Sequence, residues 1–355
     1  MFVFTELRNS GEAVVRRLAM VVAAVIPLIA GCSSPSAADE SCEPAPAAGV
    51  ATADEWLGRV HADPANISLA IDDGQGHTIE RRADDQQPIA SAVKVVSLAA
   101  YARAVAAGAL DPHEPVPVSD WERWYLPGTD GGAHPAARAR LTGETVTLDQ
   151  LVSTMIRESD NAAPDYLRHR LGDQALIDAA AAGGWHDYTP SSKLGEMIGL
   201  LDPGSDDEWA LAERYTNDAD YRTTIQSKTM PPLDIQWAWA ETTATGSARQ
   251  LASMHRAIAT GSFGPGSEVA RAHVEWQQPP AGFAAIGFKG GSYPGVLADA
   301  IYLRRADGTV ATAVLLNRRM PEATFASALA TLSQQEVLVR AMTEPAMWRR
   351  LACAT

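Results

Sequence analysis

The first pattern in the chain that could do chemistry is a serine three residues ahead of a lysine, in Pro88-Ile89-Ala90-Ser91-Ala92-Val93-Lys94. Residues three apart share a helix face, so the Ser91 hydroxyl and the Lys94 amine can meet at one point. Such a pair supplies a nucleophile and the base that takes its proton. The choice of lysine is informative: the 355-residue chain has four lysines (94, 193, 228 and 289) against twenty-five arginines. Arginine keeps its proton near neutral pH, whereas a buried lysine can lose it. No other Ser-x-x-Lys occurs in the sequence. Taken alone, the pair is more readily an incidental feature of a buried helix, and two later motifs change that reading.

Those motifs are Ser159-Asp160-Asn161 and Lys289-Gly290-Gly291-Ser292. Ser159 could relay a proton to a departing nitrogen, and the Asn161 amide can both donate and accept a hydrogen bond. Lys289, near the end of a strand-patterned run, would line the same cleft, and its charge would disfavour protonation of Lys94. The backbone N–H groups of Ser91 and Ser292 would form an oxyanion hole. Asp160 reads as structural, its side chain tying the turn.

The surrounding periodicity says which elements must hold these groups. Ala53 to His61 reads as a short amphipathic helix, and Ile67–Ile71 with His77–Glu80 as a β-hairpin around Asp72–Gly76. The Ser91 helix starts after Pro88 and is apolar on nearly every side through Val105. Residues 111–140 read as loop, with Trp121, Trp124 and Tyr125 either walling a pocket or plugging the loop onto the core. Thr147-Leu148-Asp149-Gln150 opens a helix with a capping box, and that helix ends at Arg157-Glu158. A single helix is expected from Ala162 to about Ala182, then short helices and long loops over 185–240, then a helix ending at Gly261. Phe283 to Lys289 reads as a strand, 296–303 with 309–316 as a hairpin, and Pro321 to Met342 as one final helix. Early and late segments should therefore pair into one antiparallel sheet lobe (51–87 and 262–350), with a helical lobe (88–261) inserted and a cleft between them.

The net charge of −14 leaves no basic stripe, so nucleic-acid binding is not expected. Arg8, Arg16 and Arg17 precede an apolar run, Leu18 to Ala30, that is thirteen residues long. A bilayer span needs about twenty, so the run suits a signal-peptide core instead. Leu28-Ile29-Ala30-Gly31-Cys32 resembles a bacterial lipobox, which implies a leader over 1–31, lipid attachment at Cys32 and an exported protein anchored to the outer face of the cell membrane. The Ala-, Ser- and Pro-rich stretch 32–50 reads as a flexible tether, followed by a globular region over 51–350. If Cys32 carries lipid, Cys42 and Cys353 remain in an oxidising compartment, one at each end of the mature chain, and a disulfide between them is expected.

In their order and settings, Ser91-x-x-Lys94, Ser159-Asp160-Asn161 and Lys289-Gly290-Gly291 resemble the S-x-x-K, S-D-N and K-T-G motifs of the penicillin-interacting serine hydrolases, specifically the class A β-lactamases. The resemblance covers residues 51 to about 345. It implies an α+β fold with a five-stranded antiparallel sheet flanked by helices, plus an inserted all-helical lobe. It also implies acyl-enzyme chemistry at Ser91 on a β-lactam or a peptidoglycan stem peptide whose carboxylate is held by Lys289 and the Ser292 hydroxyl, without a cofactor or metal. Two positions depart from the pattern. Gly290 lacks the K-T-G hydroxyl, a charge-assisted hydrogen bond worth roughly 1–3 kcal/mol. Glu196 lies at about the spacing of the deacylating glutamate of these enzymes, without its usual neighbours, and could equally be a surface residue on a short helix. β-Lactam hydrolysis is therefore expected first, a D,D-peptidase or penicillin-binding protein second, and a non-catalytic cell-wall-binding lipoprotein third.

Overall fold

The structure is a computed structural model that describes Cys42 and residues 45–355 apart from 205–206. The expected leader over 1–31 and the expected lipid site at Cys32 lie outside the described residues.

A five-stranded sheet holds the site. Its strands are β1 (Ile67–Asp72), β2 (Thr78–Arg81), β3 (Ala285–Tyr293), β4 (Val296–Arg304) and β5 (Val310–Asn317), in the order β2-β1-β5-β4-β3, and every pairing is antiparallel. Both chain ends thus contribute to one sheet, joined where β1 pairs with β5 in the register Ile67↔Asn317 to Asp72↔Thr312. β4 and β5 are buried almost along their whole length, so their apolar runs must satisfy two faces. Side chains alternate accordingly: Ala298, Ala300 and Tyr302 join the core under the helical lobe, whereas Leu297, Ile301 and Leu303 join a second core. A slip of one residue would exchange the two sets, so the register is firmly specified.

The second core is closed by α1 (Ala53–Ala62) and by three C-terminal helices, Glu322–Thr331, Ser333–Thr343 and Pro345–Ala354. The single helix expected from Pro321 to Met342 breaks at Leu332, whose φ is +53°. The break turns Ser333 onto α1, where its hydroxyl accepts the Trp56 indole N–H at 2.9 Å and bonds the Val50 carbonyl. The strand expected over Phe283–Lys289 runs on to Tyr293, carrying all of Lys289 to Ser292 as extended chain.

On the other face, α2 (Lys94–Ala106) is buried through its first nine residues. α3 (Leu148–Arg157) begins with the expected capping box, Thr147 and Gln150 bonding each other's backbone N–H groups. The helix expected over 162–182 is two helices, α4 (Ala162–Leu171) and Asp173–Ala182, because Gly172 takes φ +77° and the Arg168 guanidinium grips Asp173 across the break at 2.6 and 3.0 Å. The stretch 111–140 is not simply loop: it contains helices Val118–Glu122 and Ala133–Arg140. The described residues of 185–240 contain four short helices joined by loops, of which α5 (Lys193–Leu201) bears on the site.

Cys42 and Cys353 form a disulfide with Cα atoms 5.6 Å apart, spanning 311 residues of sequence. Closing so long a loop restricts the unfolded chain by an entropy worth on the order of 5 kcal/mol. Cys353→Ser should therefore lower the thermal unfolding midpoint relative to the oxidised wild type, and reduction of the wild type should lower it equally. Identical midpoints for all three would show that the bridge contributes nothing to stability.

Candidate active site

Ser91 lies in a turn of 3-10 helix, Ala90–Val93, that feeds directly into α2. Ala90 ahead of it takes φ +46°, a left-handed conformation that L-residues adopt only when their surroundings enforce it. The enforcing contact comes from β3. A Cβ on Gly291 would sit 2.4 Å from the Ser91 nitrogen, 2.6 Å from that of Ala92 and 2.7 Å from the Ile89 oxygen. Only glycine lets the strand pack this closely against the Ser91 turn.

Lys94 is fully buried, and its Nζ has four oxygen neighbours: the Ser159 carbonyl at 2.6 Å, Asn161 Oδ1 at 2.6 Å, Ser91 Oγ at 2.9 Å and Ser159 Oγ at 3.3 Å. A neutral amine has two N–H donors and one lone pair. Two carbonyl-type acceptors at 2.6 Å take the donors, which leaves the lone pair for the Ser91 hydroxyl. Burial pushes the Lys94 amine well below the ordinary lysine range, and the positive charges of Lys289 and Lys193 push the same way. Geometry and electrostatics therefore both favour the uncharged amine.

Ser159 connects this amine to a second one. Its Oγ lies 3.1 Å from Lys289 Nζ, which also bonds the Gly290 carbonyl at 2.6 Å. Burial brings Lys289 down to about 7, Asp299 opposing and Lys193 adding to the fall. Lys289 thus reaches Ser91 through Ser159 and Lys94 rather than by direct contact. Ser91, Ser159, Asn161, Gly290, Gly291 and Ser292 are all partly exposed, whereas both lysines are buried behind them.

The S-D-N turn is held from beneath. Ser159 has φ +66°, and Asp160, with no exposed surface, anchors that conformation. Asp160 Oδ1 accepts from the Ala163 N–H at 2.7 Å and the Trp121 indole at 3.0 Å, and Oδ2 meets His134 Nδ1 at 2.6 Å. Of the loop aromatics, Trp121 is buried and Tyr125 stacks on His134 at 4.0 Å, plugging the loop onto the core, whereas Trp124, stacked on Trp209 at 5.1 Å, also lines a cavity with Asp120, Arg123, Tyr166 and His169. His134 gave no signal in the sequence, since its partner is twenty-six residues away. Lys193 carries a signal in the rarity of lysine: three of the four lysines are buried, and Lys193 depresses both other buried amines.

Over residues 57–340 the sequence matches the β-lactamase enzyme family. The chain belongs to that family. Solved structures share its fold: a β-lactamase from Sphaerobacter thermophilus aligns at 18% identity over 82% of this chain and 98% of its own, with a TM-score of 0.56. A variant of the last common ancestor of Gram-negative class A β-lactamases aligns at 15% identity over 83% and 98%, TM-score 0.53. The carbapenemase VCC-1 from Vibrio cholerae aligns at 13% identity over 79% and 98%, TM-score 0.51. Among curated proteins none matches the chain by sequence.

Within this β-lactamase-family chain, Glu196 is not a surface residue. It is 2% exposed on α5, and both its oxygens are engaged. Oε2 takes Lys193 Nζ and the Tyr293 hydroxyl, each at 2.6 Å, and Oε1 accepts the Ala244 N–H at 3.1 Å. Ala244 in turn accepts the Ile89 N–H at 3.2 Å, so Glu196 braces the chain leading to Ser91 instead of contacting Lys94. Asp165 on α4 fixes the start of α5 by accepting the N–H groups of Lys193 and Leu194 at 3.2 and 2.7 Å.

Asp160→Asn exchanges an acceptor for a donor opposite N–H groups and leaves a buried pair broken, a loss of about 3 kcal/mol. Its urea unfolding midpoint should fall accordingly, and the acylation rate of the folded fraction should fall as well. A variant matching wild type in both would remove Asp160 from the support of the site.

Proposed function

We propose that this chain is a serine acyl-transfer enzyme that forms an acyl-enzyme at Ser91 with β-lactams and, by the same chemistry, with the peptide ends they imitate. The observation that carries this reading is the Lys94 amine, neutralised by burial, with its lone pair free for the Ser91 hydroxyl at 2.9 Å. In the acylation step, Lys94 takes the Ser91 proton and Oγ attacks the carbonyl carbon. The oxyanion is received by the N–H groups of Ser91 and Ser292, and the C–N bond breaks. Ser159 Oγ–H passes its proton to the departing nitrogen and is resupplied from the lysines on either side of it. Water completes the cycle by hydrolysing the ester.

A second reading, a penicillin-binding protein with a long-lived acyl-enzyme, is favoured by Glu196. Three donors already occupy its oxygens, so it is poorly free to activate water. The apolar run Leu18 to Ala30 ahead of Cys32 supports export with a lipid on Cys32. Metabolic labelling with a clickable palmitate should tag the wild type and not Cys32→Ala, and equal tagging would overturn the anchor.

The deciding experiment incubates the protein with a chromogenic cephalosporin and with a fluorescent penicillin, each beside Ser91→Ala. Turnover supports hydrolysis, and stable labelling without turnover supports the penicillin-binding reading. Neither signal would leave the chain as a non-catalytic binder. The wild-type acylation rate should rise as pH increases and Lys94 loses its proton, then decline as Lys289 is neutralised near about 7, giving a bell. Lys94→Gln should cost roughly 10²–10⁴ in rate, the usual worth of a positioned base. An unchanged rate would exclude Lys94 from the mechanism.

A further inference from the structure

Glu196 has two carboxylate oxygens, and each holds a different wall of the cleft. Oε2 accepts the Tyr293 hydroxyl and Lys193 Nζ, each at 2.6 Å, while Oε1 accepts the Ala244 N–H at 3.1 Å. Tyr293 is the last residue of β3 and the neighbour of Ser292. Ala244 leads into the short strand Thr245–Gly246, which pairs with Gln87–Pro88, and its carbonyl accepts the Ile89 N–H at 3.2 Å. The Ile89 carbonyl then accepts the Ala92 N–H at 3.0 Å, closing the turn that carries Ser91. One carboxylate therefore reaches the Ser292 segment through Tyr293 and the Ser91 turn through Ala244 and Ile89.

The direct contact between the two walls has a different effect. Gly291 meets the Ser91 turn by close packing, without a side chain. Packing limits how near two segments come, whereas directional hydrogen bonds fix where one stands along the other. The Glu196 clasp is itself firmly held. The side chains of Lys193 and Glu196 are 2% and 0% exposed, and Asp165 on α4 holds the Lys193 and Leu194 N–H groups. The Tyr293 ring lies 4.8 Å from that of Trp239 and 5.6 Å from Lys193 Nζ. A buried ion pair is costly to desolvate and persists where further hydrogen bonds complete it; here the tyrosine hydroxyl and the Ala244 amide do so.

We propose that Glu196 is a positioning residue whose two oxygens set the spacing of the oxyanion hole, Oε2 placing the Ser292 N–H and Oε1 the Ser91 N–H. The use of those two N–H groups rests on the acyl-transfer reading; the tie between the walls exists without turnover. Glu196 acts through Tyr293 and Ala244. An oxyanion forms only on the way to the acyl-enzyme, so a misplaced donor slows acylation and leaves the non-covalent affinity as it was.

Tyr293→Phe keeps the ring and its neighbours, changes no charge, and removes only the bond on the strand side. Stopped-flow acylation by a fluorescent penicillin, resolved into a dissociation constant and a first-order rate, should show the rate lowered by about tenfold at an unchanged dissociation constant. That is part of the roughly 10²–10³-fold cost of losing a whole oxyanion donor. Glu196→Gln cannot accept from all three donors and should slow acylation at least as much, and adding Tyr293→Phe to it should cost little more, because the shared bond is already gone. The tie is read without acylation in full-length Ser91→Ala protein carrying ¹⁵N-isoleucine. There Glu196→Gln should speed hydrogen exchange of the Ile89 amide by about tenfold and leave Ile71 on β1 and Ile301 on β4 unchanged, whereas a general loss of stability would speed all three. An unchanged rate in Tyr293→Phe, a loss that falls on the dissociation constant, full additivity of the two substitutions, or uniform exchange would each overturn the proposal. Absent labelling of wild-type Ser91 together with selective exchange at Ile89 would instead sink the acyl-transfer reading and leave the tie standing. Should Glu196→Gln fail to fold, Lys193→Met with Glu196→Gln, which leaves no unpaired charge at the clasp, takes its place in the exchange measurement.

Discussion

An ammonium group without water around it is costly, and the structure surrounds the one at position 94 with conditions that make it give up its proton. Lys94 is fully buried, has no carboxylate within hydrogen-bonding distance among the described residues, and feels two further buried lysines. What remains is a neutral amine with two carbonyl-type oxygens to donate to and one hydroxyl to receive from. The rest of the site can be read as the means of holding those three oxygens still.

The supports come from both faces of the cleft and both are strained. Ala90 and Ser159 each sit at positive φ, conformations that cost of order 1–3 kcal/mol apiece. Ala90 is held by the close approach of Gly291 on β3, and Ser159 by the Asp160 carboxylate with its Trp121, His134 and Ala163 partners. The sheet therefore fixes Ser91, while the helical lobe fixes Lys94 and Ser159. Both fixtures rely on tightly packed neighbours that cannot rearrange separately.

Local patterns carried much of this architecture in the sequence. Spacing alone placed Ser91 beside Lys94, the Thr147–Gln150 box marked the start of α3, and alternation marked the sheet hairpins. Breaks whose cause is tertiary were not visible: Leu332 is kinked by what Ser333 must reach on α1, and residues 162–182 are divided by an Arg168–Asp173 grip as much as by Gly172. Helices inside 111–140 were hidden because their purpose is to bring Trp121 and His134 under Asp160, a pairing with no periodic signature. The glutamate at 196 was placed at a plausible distance along the chain, yet its burial and its three donors depend on residues up to ninety-seven positions away.

The scarcity of lysine has an outcome beyond chemistry in the cleft. Lys94, Lys193 and Lys289 are sealed from solvent, and Lys228, paired with Asp202 at 2.9 Å, is the single lysine on the surface. Reagents that modify primary amines would, apart from the chain's α-amino group, find one point of attachment on the folded protein. Conjugation to a dye or a solid support through that point would present every molecule in the same orientation and leave the reactive groups untouched.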